Sequence, residues 1–388
     1  MISEQFGRDI ETGAPIRVAV ADGKVVSLGR PDTSPEDIWI SPGWLDIQVN
    51  GYAGHDPNDP EAGAVATAGT VQALWRYGVT GTLITICTAS EADIIKACRA
   101  VADACDADHL VNASVIGIHV EGPNISPEDG PRGAHPLQHV RPPDVAEFMR
   151  WQEAARGRIR MVTLSPEYPG APDYVHALVA DGIVVSIGHT AADSEQIRAV
   201  TDAGATYSTH LGNGAHATIR RHPNYVWDQL ADDRLSAGFI FDGHHLPPAV
   251  MRTVVRAKGV ERTILVSDAV SMAGQPPGRY RLFDGIDVEL RRDGRLDLAG
   301  TPLLAGATTA LPTCVGNAIR HAGVAVRDAV QMVTANPSRI LGLGQRAGHE
   351  RLCEGMAAHL TLFRLTPPGD TLEIVATIVE GSVVYQAT

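Results

Sequence analysis

Hydrophobic and polar positions along this chain change their rhythm twice. In the first forty residues, short apolar runs at Ile16–Val20 and Lys24–Leu28 flank Ala21-Asp22-Gly23, an Asp-Gly hairpin signal. Ile38-Trp39-Ile40 follows and leads into Ser41-Pro42-Gly43, where the pattern shifts. The last thirty residues return to the opening style, with Leu360–Phe363, Ile374–Val379 and Val383–Tyr385 reading as strands. A strand-rich head and tail predict one small β-sandwich domain built from both termini, over 1–42 and 355–388.

Between them, over 43–354, eight apolar runs alternate with helix-like segments. The runs are Leu45–Val49, Val79–Ile86, Val115–Val120, Ile159–Leu164, Ile183–Ile187, Ala205–Thr209, Ala237–Phe241 and Ile264–Val266. Helices are expected at Ala62–Tyr77, Glu91–Ala104, Pro143–Ala155, Ser194–Ala203 and Pro247–Ala257. Near-continuous apolar strands separated by helices require a parallel sheet covered on its faces. Eight such units predict an α/β architecture, a closed (β/α)8 TIM-like barrel, with an open doubly wound sheet as the alternative. After the eighth run, Arg279–Phe283, Ile286–Leu290 and Arg295–Leu298 read as a β insertion over the barrel mouth. A helix from about Gly306 to His321 and another near Asp328–Thr334 complete the barrel.

In such a barrel, chemistry belongs at the carboxyl ends of the strands. Five runs end in polar groups: Gln48-Val49-Asn50, His119-Val120-Glu121, Gly188-His189-Thr190, Thr209-His210 and Ser267-Asp268. A single histidine at a strand end is as a rule hydrogen-bonded structure. Five polar ends on one rim are a site. Glu121, His189 and His210 form a carboxylate and two-imidazole set suited to a catalytic divalent metal with one position left open. Zinc fits these donors best, and manganese or iron is tolerated. Asp268 fits as the general base that moves the proton of an attacking water. The Gly342–Ala347 stretch superficially matches a dinucleotide fingerprint but follows a helix, so it is dismissed.

Composition narrows the setting. The 388 residues are 44% hydrophobic, enough for one large core, and no apolar run is long enough to span a membrane. A polar N-terminus without a secretory pattern, and five cysteines with no C-x-x-C pair, predict a reducing cytoplasm. The formal net charge of −13 repels nucleic acid and anionic membranes, so neither is an expected partner. An anionic substrate would need local positive charge.

These motifs resemble the N-acetylglucosamine-6-phosphate deacetylases of the amidohydrolase superfamily. The resemblance covers nearly the whole chain, through Pro42–Asp46, Gln48–Gly51, Gly117–Pro123, Gly133-Ala134-His135, Val162–Glu167, Gly188–Thr190, Thr209–Leu211, Asp242–His245, Val266–Ala269 and Asn336–Arg339. It implies one divalent metal per subunit on Glu121, His189 and His210, with Asp268 as acid/base. It also implies that His135 and His245 reach an amino sugar phosphate. Many amidohydrolases hold a second metal with His-x-His after the first strand. Here Gln48 and Asn50 occupy that place, the one-metal pattern. Where the family reads Asn-Ala-Met, this chain has Gly212-Asn213-Gly214-Ala215-His216. Asn213 keeps its place beside Gly214, and Arg221 falls where a phosphate-binding arginine is expected. In the family that arginine can come from a neighbouring subunit, which implies a homodimer. The altered loop favours one rival, an amidohydrolase acting on another N-acyl amine or cyclic amide; a rival of another class, a non-catalytic barrel, is opposed by the intact ligand set.

Overall fold

The computed structural model of the protein describes residues 2–31, 37–282, 285–301, 303–366 and 371–388. Four strands open the chain: β1 (Ser3–Asp9), β2 (Pro15–Ala21), β3 (Lys24–Gly29) and β4 (Ile38–Pro42). The β2–β3 turn rests on Asp22 and Gly23, both at positive φ (49° and 73°). That backbone matches the twist of the flanking strands, which is why Asp-Gly marks such hairpins.

Eight parallel strands follow in sequence order: β5 (Trp44–Val49), β6 (Val79–Cys87), β7 (Val115–Glu121), β8 (Ile159–Leu164), β9 (Val184–Ile187), β10 (Tyr207–Ser208), β11 (Ser236–Phe239) and β12 (Thr263–Leu265). Beyond β12 the chain closes the circle. Asp268 N–H donates to the Gln48 carbonyl (3.0 Å) and Asn50 N–H to that of Ala269 (2.8 Å). The barrel is thus sealed at its carboxyl rim, beside the polar strand ends. Helices cover the outside, burying Val101, Trp151 and Leu178 against Val120, Val162 and Val185. The five expected helices form at Gly63–Trp75, Glu91–Ala107, Val145–Ala154, Ser194–Asp202 and Pro248–Lys258.

The insertion is a small antiparallel sheet of β13 (Gly278–Arg281), β14 (Asp287–Leu290) and β15 (Leu296–Leu298). Phe283, placed in the first of these strands by the sequence pattern, lies outside the described residues. The turn before β15 reaches the mouth, where the Asp293 carbonyl lies 3.1 Å from His244 Nε2.

The expected long helix from Gly306 is shorter. Gly306 has φ 103°, and Val270 N–H donates to the Ala307 carbonyl (3.0 Å), so this stretch extends beside the chain leaving β12. The helix starts only at Leu311, with Pro312 in its first turn, and runs to Asn317 before a wider turn at Ala318–Ala322. The next helix spans Val326–Gln331, ending before the expected Thr334.

Three last strands, β16 (Leu360–Thr366), β17 (Thr371–Val379) and β18 (Ser382–Gln386), join the first four. The order is β18-β17-β16-β4-β1-β2-β3, antiparallel except where β1 meets β4. This one continuous sheet curls on itself: Gly23, at the β2–β3 turn, packs against the main chain of Glu380, at the β17–β18 turn. Its interior gathers Val18, Val25 and Ile40 with Leu362, Ala376 and Ile378.

Candidate active site

Glu121 ends β7, while His189 and His210 follow β9 and β10 within three residues. All three are at most 7% exposed. Glu121 Oε1 lies 2.9 Å from His210 Nε2 and 3.3 Å from His189 Nε2, and the two imidazole nitrogens are 3.0 Å apart. Each residue directs one ligand atom into a cluster no more than 4.8 Å across.

The ring of His189 is fixed from behind. Its Nδ1–H donates to the Pro131 carbonyl at 2.8 Å, which leaves the Nε2 lone pair facing the cluster. Three electron-rich atoms pressed this close, away from water, need a shared positive charge. A divalent cation fits that need and this donor set. The protonation balance points the same way. Burial opposes ionisation of Glu121, yet its bonds to His189 and His210 hold its carboxyl well below the usual range. Burial also opposes charging of His210, but Glu121 overrides it and raises the imidazole above its ordinary value.

Gln48 and Asn50 sit beside this cluster. Gln48 Nε2 donates to Glu121 Oε1 (3.0 Å), and Asn50 Nδ2 donates to Asp268 Oδ1 (2.7 Å). Asp268 is thereby brought to the same rim. Burial, then the Glu121 carboxylate, pushes its carboxyl up to about 7.

The backbone marks the same residues. Seven described non-glycine residues have positive φ, and His189 (50°), His210 (29°) and Asp268 (50°) are three of them. Such conformations cost roughly 1–3 kcal/mol each and persist where surroundings over-determine them. Here each carbonyl is captured by a loop: His189 O by Ser126 N–H (2.9 Å), His210 O by Asn213 N–H (2.9 Å), Asp268 O by Ala307 N–H (3.4 Å).

Around the cluster the other sequence-derived residues divide. The His245 side chain is 7% exposed, and its Nδ1–H donates to Asp242 Oδ2 (2.7 Å), while Asp242 Oδ1 accepts the main-chain N–H of His244 and His245 (2.8 Å each). His135 stacks edge-on to His189 with ring centres 4.4 Å apart and bonds Thr88 Oγ1 (2.8 Å). Burial, then His189, pushes His135 down to about 3. Asn213 Nδ2 donates to the His210 carbonyl (3.2 Å). Gly214 lies so close that a Cβ there would stand 2.7 Å from His189 Nδ1. Arg221 is the exception. It is exposed on the loop after β10, as are Arg220 and His222, and among the described residues it forms no ion pair.

Several groups escaped the sequence reading. Cys87 and Thr88 follow the apolar run of β6 and obey the same strand-end rule. Asp242 follows the seventh run in the same way; the sequence places it in the Asp242–His245 motif, where only His245 is given a role. The Pro131 carbonyl carries no side-chain signal.

Residues 39–385 match the model of the amidohydrolase family. An N-acetylglucosamine-6-phosphate deacetylase of Bacillus subtilis is 30% identical over 379 residues, 95% of this chain and 92% of its own length. The chain belongs to the N-acetylglucosamine-6-phosphate deacetylase family of amidohydrolases. An N-acetylgalactosamine-6-phosphate deacetylase of a Shewanella species is 33% identical, over 89% of this chain and 83% of its own. A solved N-acetyl-D-glucosamine-6-phosphate deacetylase of Mycobacterium smegmatis, in complex with N-acetyl-D-glucosamine 6-phosphate, superposes with a TM-score of 0.87. It is 30% identical, with 99% of this chain and 100% of that one covered. Amidohydrolases of this superfamily are metal-dependent, in keeping with the Glu121, His189 and His210 cluster.

Proposed function

We propose that this protein hydrolyses the acetamide of N-acetyl-D-glucosamine 6-phosphate, or a close N-acetyl amino sugar phosphate, to acetate and the free amino sugar phosphate. The observation that carries the reading is the buried meeting of Glu121, His189 and His210 beside Asp268 at the barrel rim. Glu121, His189 and His210 would hold one divalent ion, with zinc the best match to one oxygen and two nitrogen donors. When bound, such an ion polarises an amide carbonyl and acidifies water.

The chain's own groups then divide the remaining work. Asn50 holds Asp268 by Oδ1, leaving Oδ2 to take a proton from water and pass it to the departing amine. His245, its Nδ1 committed to Asp242, offers Nε2 to the sugar or its carbonyl. His135, Asn213 and Gly214 line the approach to the sugar. Arg221, aided by Arg220 and His222, supplies positive charge for the phosphate in an otherwise acidic protein. We place Arg221 across the interface of a homodimer, reaching the neighbouring subunit's site. Among the described residues no helix is long and apolar enough to cross a membrane, and we propose a cytoplasmic setting.

The exposure of Arg221 also favours a second reading, an amidohydrolase for an N-acyl amine without phosphate. One assay separates the two. Zinc-loaded protein is offered the 6-phosphates of N-acetylglucosamine and N-acetylgalactosamine beside the unphosphorylated sugars. Turnover confined to phosphorylated compounds supports the first reading. Release of acetate only from compounds lacking phosphate rejects it in favour of the second.

A further inference from the structure

Cys87 ends β6 between the ends of β5 and β7. Its Sγ lies 2.9 Å from Asn50 Oδ1 and 4.0 Å from Glu121 Oε2. Asn50 is 8% exposed and donates Nδ2 to Asp268 Oδ1 at 2.7 Å. The two ends of an amide are nearly the same shape, so its partners decide which way it faces. An S–H donor at Oδ1 and a carboxylate acceptor at Nδ2 fix one orientation.

The main chain keeps these groups in register. Asn58 Oδ1 accepts Cys87 N–H (2.7 Å), while Asn58 Nδ2 donates to the carbonyls of Asn50 (3.2 Å) and Thr85 (3.0 Å). One side chain therefore ties the backbone of β6 to that of the segment leaving β5. Cys87 cannot drift from Asn50 without breaking those bonds.

We propose that Cys87 is a positioning residue that acts through Asn50 on Asp268. The thiol sets the amide, and the amide holds the carboxylate toward the cluster. This rests on the reading of Asp268 as the group that moves the proton. A cysteine that merely fills space would serve equally well as alanine or serine of suitable size. A donor in a relay would not.

The test compares Cys87→Ala, which removes the donor, with Cys87→Ser, which keeps one. In Cys87→Ala, kcat is expected to fall about tenfold, the lower end of losses seen when an orienting partner is removed. KM should stay within about twofold, because the relay touches proton transfer and not sugar binding. Cys87→Ser should recover most of the lost kcat. Asn50→Ala with and without Cys87→Ala should give the same rate, since a relay broken at Asn50 has nothing left to lose at Cys87.

Crystal structures of the three proteins test the relay without any substrate. The Asn50–Asp268 contact should persist in the parent and in Cys87→Ser, and open beyond about 3.5 Å in Cys87→Ala. A Cys87→Ala protein that keeps that contact, or a double variant with additive losses, overturns the proposal. Failure of the parent on every amino sugar phosphate would instead reject the substrate reading, and the structures would still decide the role of Cys87.

Discussion

His189, His210 and Asp268 hold left-handed backbones that side chains rarely adopt, and each is pinned by a hydrogen bond to its carbonyl. Strain held this way directs side chains at a rim where regular strand geometry would alternate them in and out. The chemistry assigned to Asp268 makes a sharp prediction. Asp268→Asn keeps the size and the Asn50 neighbour but cannot carry the proton. It should retain one metal per chain and lose about 10³-fold in kcat, measured by metal analysis beside the deacetylation rate. A near-parental rate would remove Asp268 from the mechanism. Gly214→Ala probes the support of a proposed ligand. The added Cβ would meet His189 Nδ1 at 2.7 Å, and φ 54° is already unfavourable for alanine. His189 must shift, so metal affinity should drop about 10- to 100-fold in a chelator competition. Far-ultraviolet circular dichroism should be unchanged.

Elements differ in how plainly the sequence declares them. Parallel strands buried on both faces are continuous apolar runs, so all eight barrel strands stood out, even β10, which keeps only Tyr207–Ser208. The strand-end rule then found Gln48, Asn50, Glu121, His189, His210 and Asp268 from position alone. The same rule covers Cys87, Thr88 and Asp242, but nothing local shows their partners: Asn50 and His135 come from other segments of the chain, and His245 stands three residues beyond Asp242. The helix expected from Gly306 failed for a non-local reason: small residues there suit a helix, but pairing with Val270 draws them into an extended path. The helices Ala171–Ala180 and Tyr225–Ala231 were not singled out. The second starts at an Asn224 cap, a signal masked by the charged loop before it. That loop carries its own prediction. With Arg221 serving phosphate, Arg221→Ala should raise KM for the sugar phosphate at least tenfold and leave kcat within about threefold, the pattern of lost ground-state binding. Unchanged KM in steady-state assays would return Arg221 to the surface.

At the scale of the whole molecule, the barrel and the curled sheet meet at the end opposite the site. Gly43 N–H donates to the carbonyls of His359 (2.9 Å) and Gly348 (3.1 Å), and its own carbonyl accepts from His349 Nδ1 (2.9 Å). Thr361 Oγ1 donates to the Gly78 carbonyl (2.6 Å), and Thr377 Oγ1 to that of Trp75 (2.6 Å). Within this joint the imidazoles of His349 and His359 stack with centres 4.8 Å apart. Burial pushes His349 down to about 4, and burial followed by His349 holds His359 well below its ordinary value. Both are therefore neutral in the folded chain at pH values where an unfolded chain would protonate them. The unfolded state then binds more protons, so stability rises with pH across that window. The joint is fully stable above about pH 6.5 and loses stability as pH falls from there toward 4. One such imidazole contributes a slope of about 1.4 kcal/mol per pH unit. His359→Gln removes one titrating ring and the like charge its neighbour would face. Urea unfolding between pH 6 and 5, where the unfolded imidazole is mostly protonated and the buried one is not, should show a slope shallower by about that amount in the variant. His119 and His135 titrate in both proteins and cancel in the comparison. Equal slopes would mean that the joint admits protons without opening, and that acid loosens this molecule elsewhere.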